Sequence, residues 1–189
     1  MIEQTLAAHI AVIRGLAAME QDIVQFGERA WECIAEGGRL LWIGNGGSAA
    51  DSQHLAAELV GRFERDRPGL ASIALTTDSS ILTSVSNDFG FESVFSRQVE
   101  ALGRPGDVLV GLSTSGNSAN VLRAMQRASA LGLYRVGLTG GTGGLLRENC
   151  ELCLVVPSEN TARIQEAHIL IGHLLCDFVE RRAAAADRS

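Results

Sequence analysis

Twice in this chain a short apolar run breaks off into a polar stretch of glycine and hydroxyl residues that itself opens a helix. Arg39-Leu-Leu-Trp-Ile43 runs into Gly44-Asn-Gly-Gly-Ser48, and Asp107-Val-Leu-Val-Gly-Leu112 runs into Ser113-Thr-Ser-Gly-Asn-Ser118. An apolar run without polar alternation is a strand covered on both faces, and such strands belong to parallel sheets with right-handed helical crossovers. Ser72 to Thr76, Tyr134 to Leu138 and Leu152 to Val156 read as three more strands. Helical spacing fills the gaps over Ala49 to Phe63, Ser79 to Ser86, Glu92 to Leu102 and Ala119 to Leu131. The pattern predicts an α/β fold, a three-layer sandwich around a five-stranded parallel sheet. With 21 glycines against 3 prolines, the chain favours tight strand-to-helix turns over a proline-rich linker.

Extra helices are expected at both ends. Ile2 to Glu36 carries Leu6, Ile10, Ile13, Leu16, Ile23, Phe26, Ala30 and Ile34 at helical spacing. It reads as two helices or as one broken near Gly15, stopped by Gly37-Gly38. Ala162 to Arg182 reads as a long closing helix, and Ala183 to Ser189 as a frayed tail. No linker, repeat or low-complexity segment divides the chain, so residues 1–189 are read as one domain. The segment 1–36 is expected to pack on it and in an oligomer.

The net charge of −6 and the absence of a basic run argue against nucleic acid as a ligand. No apolar stretch is long enough to span a bilayer, and Met1-Ile2-Glu3-Gln4 lacks the layout of a signal peptide, so a cytoplasmic protein is expected. Cys33 and Cys176 fall in apolar helical patterns and read as buried thiols. Cys150-Glu-Leu-Cys153 has the C-x-x-C form, but no second pair accompanies it and it leads into a strand rather than a helix, so it reads as structural.

The two polar loops lie at strand ends, where parallel sheets bind ligands. Glycines let backbone approach an anion closely, and hydroxyls and helix-terminal N–H groups then point at it. Neither loop matches G-x-x-x-x-G-K-[ST], which disfavours nucleotide hydrolysis. Gly44-x-Gly46-x-x-Ala49 fits a dinucleotide fingerprint loosely. Its acid, Asp78, comes more than 30 residues later, too far on for that motif.

His54 and Glu58 stand four apart, on one face of the helix that follows the first loop. The closing helix carries Gln165, His168 and His173 among Ile164, Ile169, Leu170, Leu174 and Leu175. A lone histidine on such a face, His168, reads as a core residue. Histidine with carboxylate suits Zn²⁺ or acid–base work. Ketose–aldose conversion of a sugar phosphate needs a base near carbon, a donor near the oxygens and a phosphate anchor. Glu58, His173 and the serine loop supply these in turn. Asn87-Asp88 offers polar groups for sugar hydroxyls, or is simply a turn. Gln165 and His173 are eight apart, about 12 Å along one helix. Either Gln165 precedes that helix or the two serve one site from different subunits.

On these residues the chain resembles the phosphoheptose isomerase family of the sugar-isomerase (SIS) fold, over about residues 5 to 180. The similar segments are Gly44–Ser48, His54-x-x-x-Glu58-Leu-x-Gly-Arg62, Arg67-Pro68, Asn87-Asp-Phe-Gly90, Gly106–Leu109, Ser113–Ser118 and Arg163-Ile-Gln-Glu-x-His168 with His173. The resemblance implies a flavodoxin-like sheet and conversion of sedoheptulose 7-phosphate to D-glycero-D-manno-heptose 7-phosphate through an enediolate, in heptose biosynthesis. It also implies a homotetramer with active sites at subunit interfaces and one Zn²⁺ per subunit. Its implied zinc ligands are His54, Glu58, Gln165 and His173. The implied substrate contacts are Asn45, Gly46, Gly47, Glu58, Asn87, Asp88, Ser113, Thr114, Ser115, Ser118 and Gln165, with Glu58 and His173 as base and acid. A carboxylate bound to zinc is a poor free base, so either the metal exchanges ligands or its role is partly structural. A related SIS-domain regulator, which binds the bacterial replication initiator, resembles Ser48–Ala50, Ala74–Asp78 and Leu175–Asp177. That regulator lacks the Glu and the second His, which favours the enzyme.

Overall fold

The computed structural model describes residues 1–186. Five parallel strands form one sheet: β1 (Leu40–Gly44), β2 (Ser72–Ala74), β3 (Val108–Leu112), β4 (Tyr134–Gly140) and β5 (Leu152–Val156). Their order is β2-β1-β3-β4-β5. Every residue of β1 and β3 is buried, as their unbroken apolar sequence requires.

Alternation along β1 divides the core. Leu40 and Trp42 face one helical layer with Phe26, Leu55, Ile171 and Leu175, while Leu41 and Ile43 face the other with Phe95, Val99, Val121 and Met125. The first layer holds α2 (Glu20–Ala35), α3 (Gly47–Val60) and α7 (Thr161–Ala186). The second holds α4 (Ser79–Phe89), α5 (Val94–Leu102) and α6 (Ala119–Ala130). Trp42 meets Phe26 edge-on at 6.5 Å and donates its indole N–H to Ser72 Oγ at 2.8 Å. The expected three-layer α/β sandwich, with added helices at both ends, is the fold observed.

The N-terminal segment is broken where Gly15 stands. Helix α1 (Ile2–Gly15) is followed by a 3₁₀ turn over Leu16–Met19 and then α2. Helix α1 buries none of its own residues and leaves Ile2, Leu6 and Ile10 exposed.

Some boundaries differ from the expectation. Helix α3 stops at Val60 rather than Phe63, because Arg67 caps it. Its guanidinium donates to the carbonyls of Leu59 (2.7 Å), Glu58 (2.8 Å) and Gly61 (3.1 Å). Helix α7 continues through Ala186, so residues 183–186 are helical and not a frayed tail, and the last three residues of that expected tail lie outside the described residues. Helix α4 runs on to Phe89, which places Asn87 and Asp88 in its last turn.

Candidate active site

Strand order puts the two polar loops side by side. The chain leaves β1 toward β2 on one side and enters β3 on the other, so a crevice opens at the carboxyl ends of β1 and β3, where open α/β sheets bind ligands. Gly44 pairs with Leu112 at the end of the β1–β3 ladder, so both loops start at one level. A reciprocal amide pair ties them: Asn45 Nδ2 donates to Asn120 Oδ1 at 2.9 Å, and Asn120 Nδ2 donates to Asn45 Oδ1 at 2.8 Å. Asn120 was not singled out in the sequence, where it reads as a first-turn helix residue. Its one signal is a buried amide beside a serine-rich helix start.

Neither helix start is capped by a side chain. Gly46 precedes α3 with φ +55°, a backbone conformation that favours glycine. Ser118 precedes α6, but its hydroxyl meets Ser113 Oγ at 2.9 Å instead of closing the helix. Uncapped N-termini flanked by hydroxyls form a cradle for an anion. Thr114 holds the second loop to β4 by accepting the Gly140 N–H at 3.1 Å, and Ser115 Oγ accepts the Asn117 N–H at 3.2 Å.

Helices α3 and α7 run side by side and meet at three levels. At the first, Gln165 lies against Gly47, where a Cβ would sit 2.5 Å from Nε2. At the second, a Cβ at Gly172 would overlap the Leu55 side chain. At the third, His54 Nε2 and His173 Nε2 are 2.9 Å apart, and Glu58 Oε1 is 3.4 Å from His54 Nε2. The His173 ring stacks on Phe63 at 5.2 Å. Burial lowers the His173 pKa, and the neighbouring His54 lowers it further, against an opposing pull from Glu58. Asp51, one turn before His54, has its carboxyl pushed up to about 6 by burial, with His54 opposing.

One chain therefore brings together His54, Glu58 and His173, and separately Asn45 to Gly47, Ser113 to Ser118 and Gln165. Gln165 does not precede the closing helix; it lies inside α7, at the level of the first loop. Asn87 and Asp88 are exposed and bonded to each other at 2.8 Å. Asp78 caps α4 by accepting the Ile81 N–H at 2.9 Å, a structural duty that removes the acid of the dinucleotide reading. His168 is fully buried with Nε2 3.2 Å from Thr139 O, the core role expected of it.

Two imidazoles and a carboxylate are donors that zinc takes. The two Nε2 atoms sit closer than the roughly 3.3 Å expected of neighbouring ligands around a tetrahedral ion with bonds of about 2.0–2.1 Å. Among the described residues no three His, Cys, Asp or Glu side chains are spaced to enclose an ion. The donor chemistry fits, and the enclosure is incomplete within one chain.

Known proteins share this sequence and fold. The family model for the SIS domain matches residues 6–140. A phosphoheptose isomerase of Roseiflexus sp. (strain RS-1) is 60% identical over 159 residues, 84% of this chain and 81% of that protein. The solved structure of a phosphoheptose isomerase from Neisseria gonorrhoeae is 46% identical, with a TM-score of 0.86 over 96% of this chain and 100% of that one. That of a phosphoheptose isomerase from Francisella tularensis is 38% identical, with a TM-score of 0.92 over 95% and 96%.

Proposed function

We propose that this chain, which belongs to the phosphoheptose isomerase family of SIS domains, interconverts sedoheptulose 7-phosphate and D-glycero-D-manno-heptose 7-phosphate. The observation that carries the reading is the meeting of Glu58, His54 and His173 two to three helical turns along α3 from an anion cradle. Gly47 and His54 are seven residues apart on α3, about 10 Å along its axis. That span is on the scale of an extended seven-carbon chain with its phosphate. Phosphate at the Gly46–Gly47 and Ser113–Ser118 loops would place the carbonyl end at the carboxylate and the imidazoles.

The chemistry follows from those groups. The Glu58 carboxylate removes a proton from C1 of the ketose, while the His173 ring N–H donates to the C2 oxygen. An enediol results. Glu58 returns its proton to C2, His173 recovers a proton from O1, and the aldose is formed with no net gain or loss. The lowered pKa of His173 keeps the ring neutral near pH 7, able to donate at one nitrogen and accept at the other. Gln165 and Asn45, beside the phosphate loops, orient the sugar, and Asn87 and Asp88 meet its hydroxyls.

The reading includes one Zn²⁺ per subunit, held by His54, Glu58 and His173, with Gln165 of a second subunit as the fourth ligand; a zinc-bound carboxylate is a poor base, so Glu58 acts on C1 only when free of the metal. Bound zinc would polarise the substrate oxygens and stabilise the charge that develops on them. Supply of Gln165 by another subunit requires an oligomer, and a homotetramer with sites at its interfaces is the assembly proposed. Its support is an apolar groove of about 610 Å³ between α1, α2 and α7, lined by Ile13, Leu16, Ile23, Val24, Leu170 and Leu174. The exposed stripe of α1 adds to it. No helix among the described residues is long and apolar enough to cross a membrane. The cytoplasm, where sugar phosphates are made and thiols stay reduced, is the proposed location, and heptose biosynthesis the proposed pathway.

The test is an isomerase assay on sedoheptulose 7-phosphate beside Glu58→Gln and His173→Ala. An inactive parent, with and without added Zn²⁺, would favour the non-catalytic regulator, for which nothing in the site requires Glu58 or His173.

A further inference from the structure

The Cys150–Cys153 pair has no part in the chemistry above, yet its setting is more than structural packing. In the β4–β5 ladder Gly137 is the partner of Cys153, so their side-chain positions share one face of the sheet, about 5 Å apart. Gly137 has no side chain, and the Leu146 side chain and the Cys150 sulfur share that space, 3.0 and 3.1 Å from where a Cβ would be. The two thiols thus converge over one glycine. Both are partly exposed, on the edge of the sheet, whereas Cys33 and Cys176 are buried. The neighbouring Cys153 thiol lowers the Cys150 pKa, and Cys150 in turn raises that of Cys153. One sulfur is thereby made the better nucleophile.

A single residue links this pair to the phosphate loop. Leu146 accepts the Cys150 S–H at its carbonyl (3.1 Å) and donates its own N–H to Gly116 O (2.9 Å). Next to it, the Leu145 N–H bonds to Asn117 Oδ1 at 3.0 Å. The 3₁₀ turn over Gly144–Glu148 therefore braces Ser113–Ser118 from behind and ends two residues before Cys150.

We propose that Cys150 and Cys153 form a reversible disulfide on exposure to a peroxide, and that the oxidised state loosens the second phosphate loop through Leu146. The Cys150 thiolate attacks one peroxide oxygen, the O–O bond breaks, and sulfenic acid and hydroxide result. The Cys153 sulfur then displaces the sulfenic oxygen, the S–S bond forms and water leaves. Two thiols are oxidised by two electrons and one hydrogen peroxide is reduced to two waters. The disulfide has no S–H to give to Leu146 O, and the turn loses that hydrogen bond.

The loop part of this inference rests on reading Ser113–Ser118 as a phosphate site; the disulfide part does not. The experiment treats the full protein with hydrogen peroxide, maps its thiols by peptide mass, and measures inorganic phosphate binding and isomerase kinetics before and after dithiothreitol. The expected result is a 150–153 cross-link, absent from Cys150→Ser and Cys153→Ser. Phosphate binding should weaken and KM rise about fivefold, the worth of one net hydrogen bond, with kcat changed less and recovery on reduction. No cross-link between these two residues, or a cross-link with unchanged phosphate binding, overturns the proposal. A reduced parent that binds no phosphate and lacks activity indicts the reading of the site instead, and the mapping still decides the disulfide.

Discussion

Gly172 and Leu55 approach so closely that a Cβ at position 172 would overlap the Leu55 side chain. Each is the chain neighbour of a site residue, Gly172 of His173 and Leu55 of His54, and their contact is what lets the two imidazoles meet at 2.9 Å. The Gly172→Ala variant should force α3 and α7 apart. Overpacking of this kind costs about 1–3 kcal/mol, read as a lower urea midpoint. Activity should fall about 10²-fold or more, because a displacement near 1 Å is enough to misplace reacting groups. Unchanged activity in a destabilised Gly172→Ala would separate the helix contact from the site.

Glu180, fully buried, holds the segment after α3. Its carboxylate accepts the backbone N–H groups of Phe63 (2.7 Å), Glu64 (2.9 Å) and Arg65 (3.0 Å), and Arg67 Nε lies 3.2 Å away. Replacing it by Gln puts a donor where only acceptors fit. Glu180→Gln should lose about 3 kcal/mol in chemical denaturation, as expected for a broken buried charge network. It should also release Phe63 from the His173 ring, seen as a raised His173 pKa in NMR titration of the folded variant.

Stability should depend on pH through His168. Burial pushes its pKa down from 6.5 to about 4, with the Thr139 carbonyl opposing. Between those values the unfolded chain binds the proton and the folded chain does not. Stability present above pH 6.5 is therefore lost as pH falls toward 4, by about 3 kcal/mol in all. His168→Gln, which keeps a donor for Thr139 O, should be less stable at neutral pH and show that much less loss on acidification. Parallel pH profiles of the two proteins would rule His168 out as the source.

Metal removal is the direct test of the zinc proposal. Dialysis against a chelator should lower both Tm and activity, and Zn²⁺ should restore both. His54→Ala should bind less than a tenth of the parent's zinc, by metal analysis of the purified protein, since loss of one ligand in so small a set is severe. Full retention of Tm and activity after chelation would remove zinc from the account.

Much of this was legible in the sequence, for a physical reason. Strands covered on both faces have no polar alternation, and Leu40–Gly44 and Val108–Leu112 announce themselves. The polar loops follow because a strand buried at its end must open into backbone that glycine and serine tolerate. Contacts between distant elements were not legible. The parallel run of α3 against α7 depends on Gly172, an ordinary glycine in a helical pattern. The Asn45–Asn120 pair depends on two loops being neighbours, which strand order alone decides. The early stop of α3 depends on Arg67 folding back onto carbonyls that local sequence does not reveal.

The convergence of Glu58 with His173 at the far end of a sugar phosphate's reach from the anion cradle is the central claim. Steady-state conversion of sedoheptulose 7-phosphate by the parent, by Glu58→Gln and by His173→Ala measures it most directly, with circular dichroism and Tm as controls for folding. The account predicts an active parent and a loss of about 10²–10⁴-fold in kcat for each variant at retained fold, the usual contribution of a positioned acid or base. Either variant turning over at the parent's rate would contradict it.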